Sequence, residues 1–474
     1  MKKQLTLIGM GTGSENFLTI EAESALRKGQ IIFGAKRILE IAENSLKRGL
    51  SEDRQAESGK NLPKSEPLYR AEEIFSYLKE NPQYEKASVV FSGDVGFFSG
   101  AESFFSFLGT AADSSKIVKP EVCDWEINVI PGISSAVYFA SKLQKSWQNW
   151  KFLSLHGAKC NAIGQIRKNP GCFFILSGIE DVRNLGKMLE KAIKNRVIPV
   201  VNCYLGSNLS YDVEKIIQIS PEKLAFYQEK ENSEADNLNS ARADSKTAQT
   251  TANLSDNTLK NSLFVLLVEN EGAKSQPITP FLNDEDFIRG EKIPMTKKEV
   301  RRLSLASLGL SESSIFYDIG SGSGSVTVEA ARIATEGHVF AVECREEAFE
   351  LTKKNVDKFC LENVTCVLGK APECLDFPSP SHVFIGGSKG NLREIVEFVL
   401  KKNPKVRIVA NFVSLENLCE MQNLLKSLEE EDRIENAEIT QLAVSHAERA
   451  GDFHLMKAQN PVYIVSFSGK AGKE

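Results

Sequence analysis

The segment Ile315-Phe316-Tyr317-Asp318-Ile319-Gly320-Ser321-Gly322-Ser323-Gly324 decides the fold of the second half of this chain. Its first five residues predict a buried strand, and the glycines at every second position after it predict a tight turn. A helical pattern over Val326–Ala334 follows directly. A strand, a glycine loop and a helix in this order begin a βαβ unit, in which the backbone of the loop can approach a nucleotide-like ligand.

Strand and helix patterns continue to alternate after this loop, as in a doubly wound parallel sheet. A helix is predicted before the loop, over Thr296–Leu308. The elements predicted after it are His338–Glu343, Ala348–Phe359, Val364–Leu368, His382–Ile385, Leu392–Leu400 and Val406–Ala410. We therefore predict a Rossmann-like C-terminal domain.

The residues around the loop indicate which ligand it binds. Glu343 ends the second predicted strand, where an acid can accept hydrogen bonds from ribose hydroxyls. Asp318 lies two residues ahead of Gly320, and a carboxylate there would repel a pyrophosphate but attract an ammonium group. S-adenosylmethionine has a ribose and an α-amino group but no phosphate. Gly320, Gly322, Gly324 and Glu343 are therefore predicted to bind S-adenosylmethionine rather than NAD.

A second glycine loop, Gly9-Met10-Gly11-Thr12-Gly13, follows the apolar run Leu5–Ile8 near the start of the chain. Its setting differs, because the next predicted strand ends in Phe33-Gly34-Ala35 and offers no acid for a ribose. The remaining predicted strands of this half are Ser88–Phe91, Asn128–Ile130, Phe152–Ser154, Cys172–Leu176, Val197–Cys203 and Ser262–Glu269. This half is thus also α/β, with a different ligand site.

The composition of the chain indicates which partners, metal sites and cellular location to expect. The net charge of −5 argues against a duplex nucleic-acid partner, and no apolar run approaches the length of a membrane-spanning helix. The nine cysteines and five histidines are scattered without metal-binding spacing, so no metal site and a reducing, cytoplasmic location are expected. A polar segment at about 228–261 is predicted to be a disordered insertion.

Five motifs in the second half occur together in one known family. They are Pro294-Met295-Thr296-Lys297, the loop after Tyr317, Gly369-Lys370-Ala371-Pro372-Glu373, Phe384-Ile385-Gly386-Gly387-Ser388 and Asn411-Phe412-Val413-Ser414. In this order they resemble the CbiT-type precorrin C15-methyltransferases (decarboxylating) over about residues 290–467. The resemblance adds Thr296 and the backbone at Ala371 to the predicted cofactor site. Lys370 stands where that family usually has Asp, so no side-chain contact to the adenine is predicted there.

Three segments of the first half resemble the tetrapyrrole methylases, specifically the CbiE-type precorrin C5-methyltransferases, over about residues 4–270. They are the first glycine loop, Ser92-Gly93-Asp94-Val95-Gly96-Phe97 and Pro131-Gly132-Ile133-Ser134-Ser135. The resemblance implies a two-lobed fold and a second S-adenosylmethionine site. The implied site residues are Gly9, Gly11, Asp94, Val95, Gly96, Phe97, Ser134 and Ser135. Asp94 could instead stabilise its turn, and Ser134 and Ser135 could cap the following helix.

The two resemblances together imply a fused, CobL-type enzyme, with domains at 1–271 and 285–470. Such an enzyme methylates C5 and C15 of a precorrin or cobalt-precorrin and removes the carboxyl group of the C12 acetate. No membrane or nucleic-acid partner is expected, and a homo-oligomer is predicted. No catalytic residue can be named, and Lys297, Arg301, Arg345 and Lys389 are candidates for contacts to the carboxylates of the ring.

Two other functions remain open from the residues alone. An RNA methyltransferase would share the core sheet, although an amino-directed one would be expected to carry an Asn/Asp-Pro-Pro-aromatic motif where this chain has Gly386-Gly387-Ser388-Lys389. A pair of non-catalytic, NAD-sensing domains would also use glycine loops.

Overall fold

The computed structural model describes residues 2–52, 62–109, 124–155, 161–228, 263–275 and 281–471. The predicted insertion at about 228–261 lies almost wholly outside these residues. The chain divides into two compact units, of which the first contains Met1–Gly157, Phe173–Arg183 and Asn202–Val268. The second contains Ala158–Cys172, Asn184–Val201 and Glu269–Glu474. The boundaries predicted from the sequence stay a prediction.

The first unit begins with a five-stranded parallel sheet in the order β3-β2-β4-β1-β5. Its strands are β1 (Lys3–Gly9), β2 (Ile31–Gly34), β3 (Lys64–Glu66), β4 (Lys86–Phe91) and β5 (Trp125–Ile130). The helices of this region are α1 (Ile20–Lys28), α2 (Lys36–Glu52), α3 (Ala71–Glu80), α4 (Ala101–Leu108) and α5 (Ser135–Leu143). Leu7 and Ile8 in the interior strand β1 are fully buried and belong to different apolar clusters, as expected of a strand covered on both faces.

A second five-stranded sheet has the order β6-β7-β10-β8-β9. Its strands are β6 (Trp150–Ser154), β7 (Gly171–Leu176), β8 (Asn202–Ser207), β9 (Lys215–Ile219) and β10 (Phe264–Glu269). The helices near it in sequence are α6 (Ala162–Lys168), α7 (Ile179–Lys194) and α8 (Pro221–Ala225). Two sheets in this half agree with the predicted two-lobed fold.

The second unit contains a seven-stranded sheet in the order β13-β12-β11-β14-β15-β19-β16. Its strands are β11 (Ile315–Ile319), β12 (His338–Glu343), β13 (Val364–Leu368), β14 (His382–Ile385), β15 (Arg407–Phe412), β16 (Ile434–Leu442) and β19 (Val462–Gly469). The helices are α9 (Lys298–Leu308), α10 (Ser325–Ile333), α11 (Glu346–Lys358), α12 (Leu392–Lys402) and α13 (Leu415–Glu430). The first five strands are parallel, and β19 runs antiparallel to both β15 and β16.

Helices cover both faces of this sheet. Apolar residues of α12 and α13 form one core against β14 and β15, whereas those of α9 and α10 form another core on the opposite face. The carboxyl ends of β11, β12, β14 and β15 therefore meet at one edge, where ligands bind in doubly wound sheets. The predicted fold class, α/β with a Rossmann-like C-terminal part, is confirmed.

A two-stranded hairpin, β17 (Ser445–Ala450) and β18 (Phe453–Ala458), extends from this same edge. The register places it there, because Phe412 at the carboxyl end of β15 pairs with Tyr463 near the start of β19. Every residue of the hairpin is exposed. None of the helices in the described ranges has the length and apolar content that a membrane crossing requires.

Candidate functional site

A cavity of about 800 Å³ lies at the carboxyl edge of the seven-stranded sheet. Its wall includes four of the six residues predicted for this site: Thr296, Gly320, Gly322 and Glu343. The glycine loop therefore lies against the cavity, and so does Glu343, the acid at the end of β12.

Backbone N–H groups of the loop are already hydrogen bonded within the protein. Those of Gly320 and Ser321 donate to the carbonyl of Val342, at 2.9 and 3.0 Å, and that of Gly322 donates to Oε2 of Glu343 at 3.0 Å. These three amides are not directed at a ligand, unlike the amides of a loop that binds a pyrophosphate. The glycines act here by permitting close approach, and the site favours a ligand without phosphate.

Gly320 shows why a glycine is required. Its φ is +77°, and an added Cβ would lie 2.8 Å from the backbone nitrogen of Gly387. The turn after β11 thus packs directly on the turn after β14. At Gly387 itself, a Cβ would meet nothing within 4 Å, so the floor of the cavity is open at this point.

Glu343 is only 5% exposed, yet its carboxylate is part of the cavity wall. Oε1 accepts hydrogen bonds from the backbone N–H groups of Cys344 and Arg345, at 3.0 and 2.9 Å, while Oε2 accepts from Gly322. Each oxygen has two lone pairs, so Oε2 retains acceptor capacity. Its predicted role in ribose binding remains a prediction with a suitable geometry.

Asp318 does not face the cavity. Its side chain is fully buried and accepts a hydrogen bond from the hydroxyl of Thr327. Burial raises the pKa of Asp318 to about 7, and the nearby charge of Glu343 acts in the same direction. The carboxyl group lies beneath the loop, so the direct contact to a ligand ammonium group inferred from its position in the sequence is not available.

The other two predicted residues also lie outside the cavity wall. Gly324 is the N-cap of α10 with a φ of +75°, and an added Cβ would lie 3.0 Å from Cα of Thr352. Ala371 is a buried core residue whose carbonyl accepts a hydrogen bond from the side chain of Asn391 at 3.0 Å. Both positions shape the loops near the site, and a ligand contact at either stays a prediction.

Arg301 differs from the other predicted carboxylate-binding residues because it is fully buried. Its guanidinium donates to Glu329 at 2.7 Å, to Asp284 at 3.1 Å and to the carbonyls of Thr296 and Leu282 at 2.6 and 3.0 Å. Arg301 is therefore an internal ion-pair partner that fixes the backbone at Thr296, and it cannot meet a substrate carboxylate.

The hairpin supplies part of the wall that the sequence analysis missed. His446, Glu448 and Lys457 line the cavity, and His446 and Lys457 are a directly opposed pair in the hairpin. Nε2 of His446 lies 3.4 Å from Oε1 of Glu299 in α9. The signal available in the sequence was the series of charged residues in this segment, but Glu299, the partner of His446, lies 147 residues earlier in the chain.

In the first unit, the predicted residues lie where β1, β4 and β5 end. Gly11 and Gly93 exchange backbone hydrogen bonds of 3.1 and 2.8 Å, which join the turn after β1 to the turn after β4. A Cβ on Gly9 would lie 2.6 Å from the backbone nitrogen of Gly132, after β5. Three strand ends thus contact one another through glycines.

The carboxylate of Asp94 connects these turns by hydrogen bonds. Its Oδ1 accepts from the N–H of Gly96 at 2.9 Å, and its Oδ2 accepts from the N–H of Gly132 at 3.0 Å. The alternative that Asp94 stabilises its turn therefore has direct structural support. Similarly, the hydroxyl of Ser134 accepts from the N–H of Val137 at 3.3 Å and caps α5. Ligand roles for both residues stay predictions.

A smaller pocket, of about 160 Å³, is bordered by three of the predicted residues: Gly11, Phe97 and Ser135. The remaining predicted residues of this half, which are Gly9, Asp94, Val95, Gly96 and Ser134, do not line this pocket. Thr12 also lines the pocket, and its buried hydroxyl has no hydrogen-bond partner among the described residues. An unpaired buried hydroxyl is costly, which makes Thr12 a candidate ligand contact that the sequence analysis missed.

Among the described residues, no group of histidine, cysteine, aspartate and glutamate side chains is arranged to hold a metal ion.

Comparison with known proteins assigns both halves. A model of the precorrin methyltransferase domain matches residues 288–468, and a model of the tetrapyrrole (corrin/porphyrin) methylases matches residues 4–225. A probable cobalt-precorrin-6B C(15)-methyltransferase (decarboxylating) from Pyrobaculum calidifontis is 41% identical over 191 residues, which are 40% of this chain and 95% of the relative. The chain belongs to the precorrin methyltransferase family.

Other members of the family give a similar match. The probable cobalt-precorrin-6B C(15)-methyltransferase (decarboxylating) from Methanocaldococcus jannaschii is 36% identical over 182 residues, which are 38% of this chain and 94% of the relative. The crystal structure of precorrin-6Y C5,15-methyltransferase from Geobacter metallireducens GS-15 is 34% identical, with a TM-score of 0.37, and covers 40% of this chain and 95% of that chain. The predicted fusion of a tetrapyrrole methylase with a precorrin methyltransferase is confirmed by the two family models.

Proposed function

We propose that this precorrin methyltransferase transfers methyl groups to C5 and C15 of a precorrin or cobalt-precorrin and releases the C12 acetate carboxyl group as CO2, in cobalamin biosynthesis. The observation that carries the proposal is the cavity of about 800 Å³ at the glycine loop, within the region matched by the precorrin methyltransferase model. It is large enough for a methyl donor beside part of a macrocycle.

The residues of this cavity fit S-adenosylmethionine. When bound, it would supply an electrophilic methyl group on a sulfonium centre. Glu343 would hold the ribose, and the open floor at Gly387 would admit the ring beside the donor. The engaged amides of Gly320 to Gly322 argue against NAD, since they offer nothing to a pyrophosphate.

Methyl transfer to a nucleophilic carbon depends mainly on positioning, because the reacting carbon and the donor must be aligned. Methyl transfer of this kind therefore does not require an acid–base side chain in the wall. Loss of CO2 breaks the C–C bond to the carboxyl group and leaves its electron pair on the remaining carbon, from which the conjugated ring system can accept it. Uptake of a proton from the solvent then completes a methyl group at that carbon, and the role of the protein is to orient the ring.

We place a second S-adenosylmethionine site in the first unit. Gly11, Phe97 and Ser135 around the pocket, and the unpaired hydroxyl of Thr12, support this placement. Phe97 packs edge-on against Phe152, with ring centroids 5.3 Å apart, and could present an apolar surface to the ligand.

We further propose that the protein acts in the cytoplasm as a homo-oligomer, without a nucleic-acid or membrane partner. Its acidic net charge supports the absence of a nucleic-acid partner. Self-association is supported by the hairpin, where Phe453, Leu455 and Met456 are 75%, 62% and 68% exposed.

The test is mass spectrometry of a precorrin-6B incubation with S-adenosylmethionine, with and without cobalt in the ring. Two added methyl groups and the loss of one CO2 are expected. Titration calorimetry should show two sites for S-adenosylhomocysteine and none for NAD. A protein that binds NAD, leaves the precorrin unchanged and methylates RNA would contradict the proposal.

A further inference from the structure

Four cationic side chains line the cavity at the glycine loop: Lys297, Arg345, Lys389 and Lys457. Two of them have acidic partners in that same wall. Nε of Arg345 lies 3.7 Å from Oε1 of Glu343, and Nζ of Lys457 lies 3.1 Å from Oε2 of Glu448. The opposite charges within each pair largely cancel. The other two cations therefore give the wall an excess of two positive charges, in a chain that is acidic overall.

Lys297 and Lys389 provide this excess. Within the described part of the chain, neither lysine forms an ion pair with an acidic side chain. Their charges are therefore available to a ligand in the cavity. Both also occupy positions that local structure would assign to other residue types.

Lys297 is the N-cap of α9 and forms no side-chain capping hydrogen bond. Serine, threonine, aspartate and asparagine are preferred at this position, and the positive end of the helix dipole disfavours a cation. The backbone here is nevertheless fixed, since the N–H of Arg301 donates to the carbonyl of Lys297 at 2.8 Å and the Arg301 guanidinium donates to Thr296. A buried arginine thus holds an unfavourably placed lysine at the cavity.

Lys389 has a φ of +50°, in the turn that follows β14. Glycine and asparagine adopt this left-handed conformation with less strain than lysine does. The neighbouring Gly390 has a φ of +85°, so the turn already uses glycine where one is needed. Residues held against local preference are concentrated at functional sites.

We propose that Lys297 and Lys389 bind peripheral carboxylates of the macrocycle and so position its reacting carbon at the methyl donor. The inference rests on the proposed function and specifies how the substrate is recognised there. A polycarboxylate ring matches a wall with two uncompensated cations. S-adenosylmethionine also has a carboxylate, so the experiment has to distinguish the two sources.

The experiment compares Lys297→Met, Lys389→Met and the double variant with the native chain. For C15 methylation, the KM for the precorrin is expected to rise about tenfold in each single variant and further in the double variant, with kcat changed less than threefold. Lys389→Arg keeps the positive charge, so its KM for the precorrin should be close to the native value. The dissociation constant of S-adenosylhomocysteine should remain within twofold, and added salt should raise the KM of the native protein more than that of the double variant.

The matched control is Lys401→Met, which removes an exposed lysine from the last turn of α12 without touching the cavity wall. Its KM should equal the native value. An unchanged precorrin KM in the double variant would overturn the inference, and so would a loss of S-adenosylhomocysteine affinity, which would assign the lysines to the methyl donor. Failure of the native protein to methylate any precorrin would instead overturn the proposed function.

Discussion

The carboxylate of Glu343 accepts a hydrogen bond from the backbone N–H of Gly322, with 3.0 Å between oxygen and nitrogen. The residue predicted to bind the ribose is therefore also a structural support of the glycine loop. Substitution of either residue should affect the other, since the two form one unit at the edge of the sheet.

Glu343→Gln should weaken S-adenosylhomocysteine binding at the C-terminal site by tenfold or more. The carboxylate accepts from three backbone N–H groups, so an amide NH2 would have to face at least one donor and lose that bond. Calorimetry measures the effect. Glu346→Gln, an exposed change in the first turn of α11, is the control and should bind as the native protein does.

Gly9→Ala should impair C5 methylation and leave C15 methylation intact. An added Cβ would lie 2.6 Å from the nitrogen of Gly132 and 2.8 Å from the carbonyl oxygen of Gly93, and neither backbone atom can move freely. Gly178→Ala is the matched control, because a Cβ there meets nothing within 4 Å. Product analysis by mass spectrometry separates the two methylations, and loss of both in a folded Gly9→Ala protein would contradict independent sites.

Asp318 should make stability depend on pH. Its pKa is about 7 in the folded protein against 3.8 in the unfolded chain, so the folded state holds this proton more tightly. The stabilisation is complete below pH 3.8 and is lost as the pH rises through 7. Between pH 5 and 8 the native chain should lose about 2–3 kcal/mol relative to Asp318→Asn.

Denaturant unfolding of both proteins at several pH values measures this difference. Burial also raises the pKa of Glu362 to about 7, but its contribution is common to the two proteins and cancels in the comparison. Parallel stability curves for the native protein and Asp318→Asn would show that Asp318 does not titrate in this range.

Arg301→Met should lower the free energy of unfolding by about 3–5 kcal/mol, because it leaves the buried carboxylates of Glu329 and Asp284 without their cation. The double variant Arg301→Met/Glu329→Gln should regain part of that loss, since one uncompensated charge is removed. Thermal and denaturant unfolding check both. If the double variant is less stable than the single one, the buried-charge explanation is wrong.

The sequence predicted the elements that carry the C-terminal site well, because buried parallel strands are continuous apolar runs and the glycine loop marks where one ends. His338–Glu343 and Val364–Leu368 were predicted with the same bounds as the structure has. The direction of single side chains was less predictable. Asp318 is adjacent to the loop in sequence but points into the protein, and this depends on which face of β11 it occupies.

Arg301 illustrates a second limit. Its acidic partners Asp284 and Glu329 lie 17 and 28 residues away, in different elements, so no local pattern identifies the buried pair. The part of the cavity wall that the hairpin forms shows the same limit, because its contact between His446 and Glu299 joins residues that are far apart in the sequence. Such long-range contacts can be read only from the folded chain.

The hydrogen bonds within the glycine loop have one more consequence. Because the amides of Gly320, Ser321 and Gly322 are satisfied without a ligand, the loop keeps its shape when the cavity is empty. Exchange of the spent donor for a fresh one then exposes no unpaired backbone group and needs no refolding of the turn. One small molecule can therefore leave and the next can bind while the turn stays rigid. The rate of this exchange is then set by how tightly each molecule is bound.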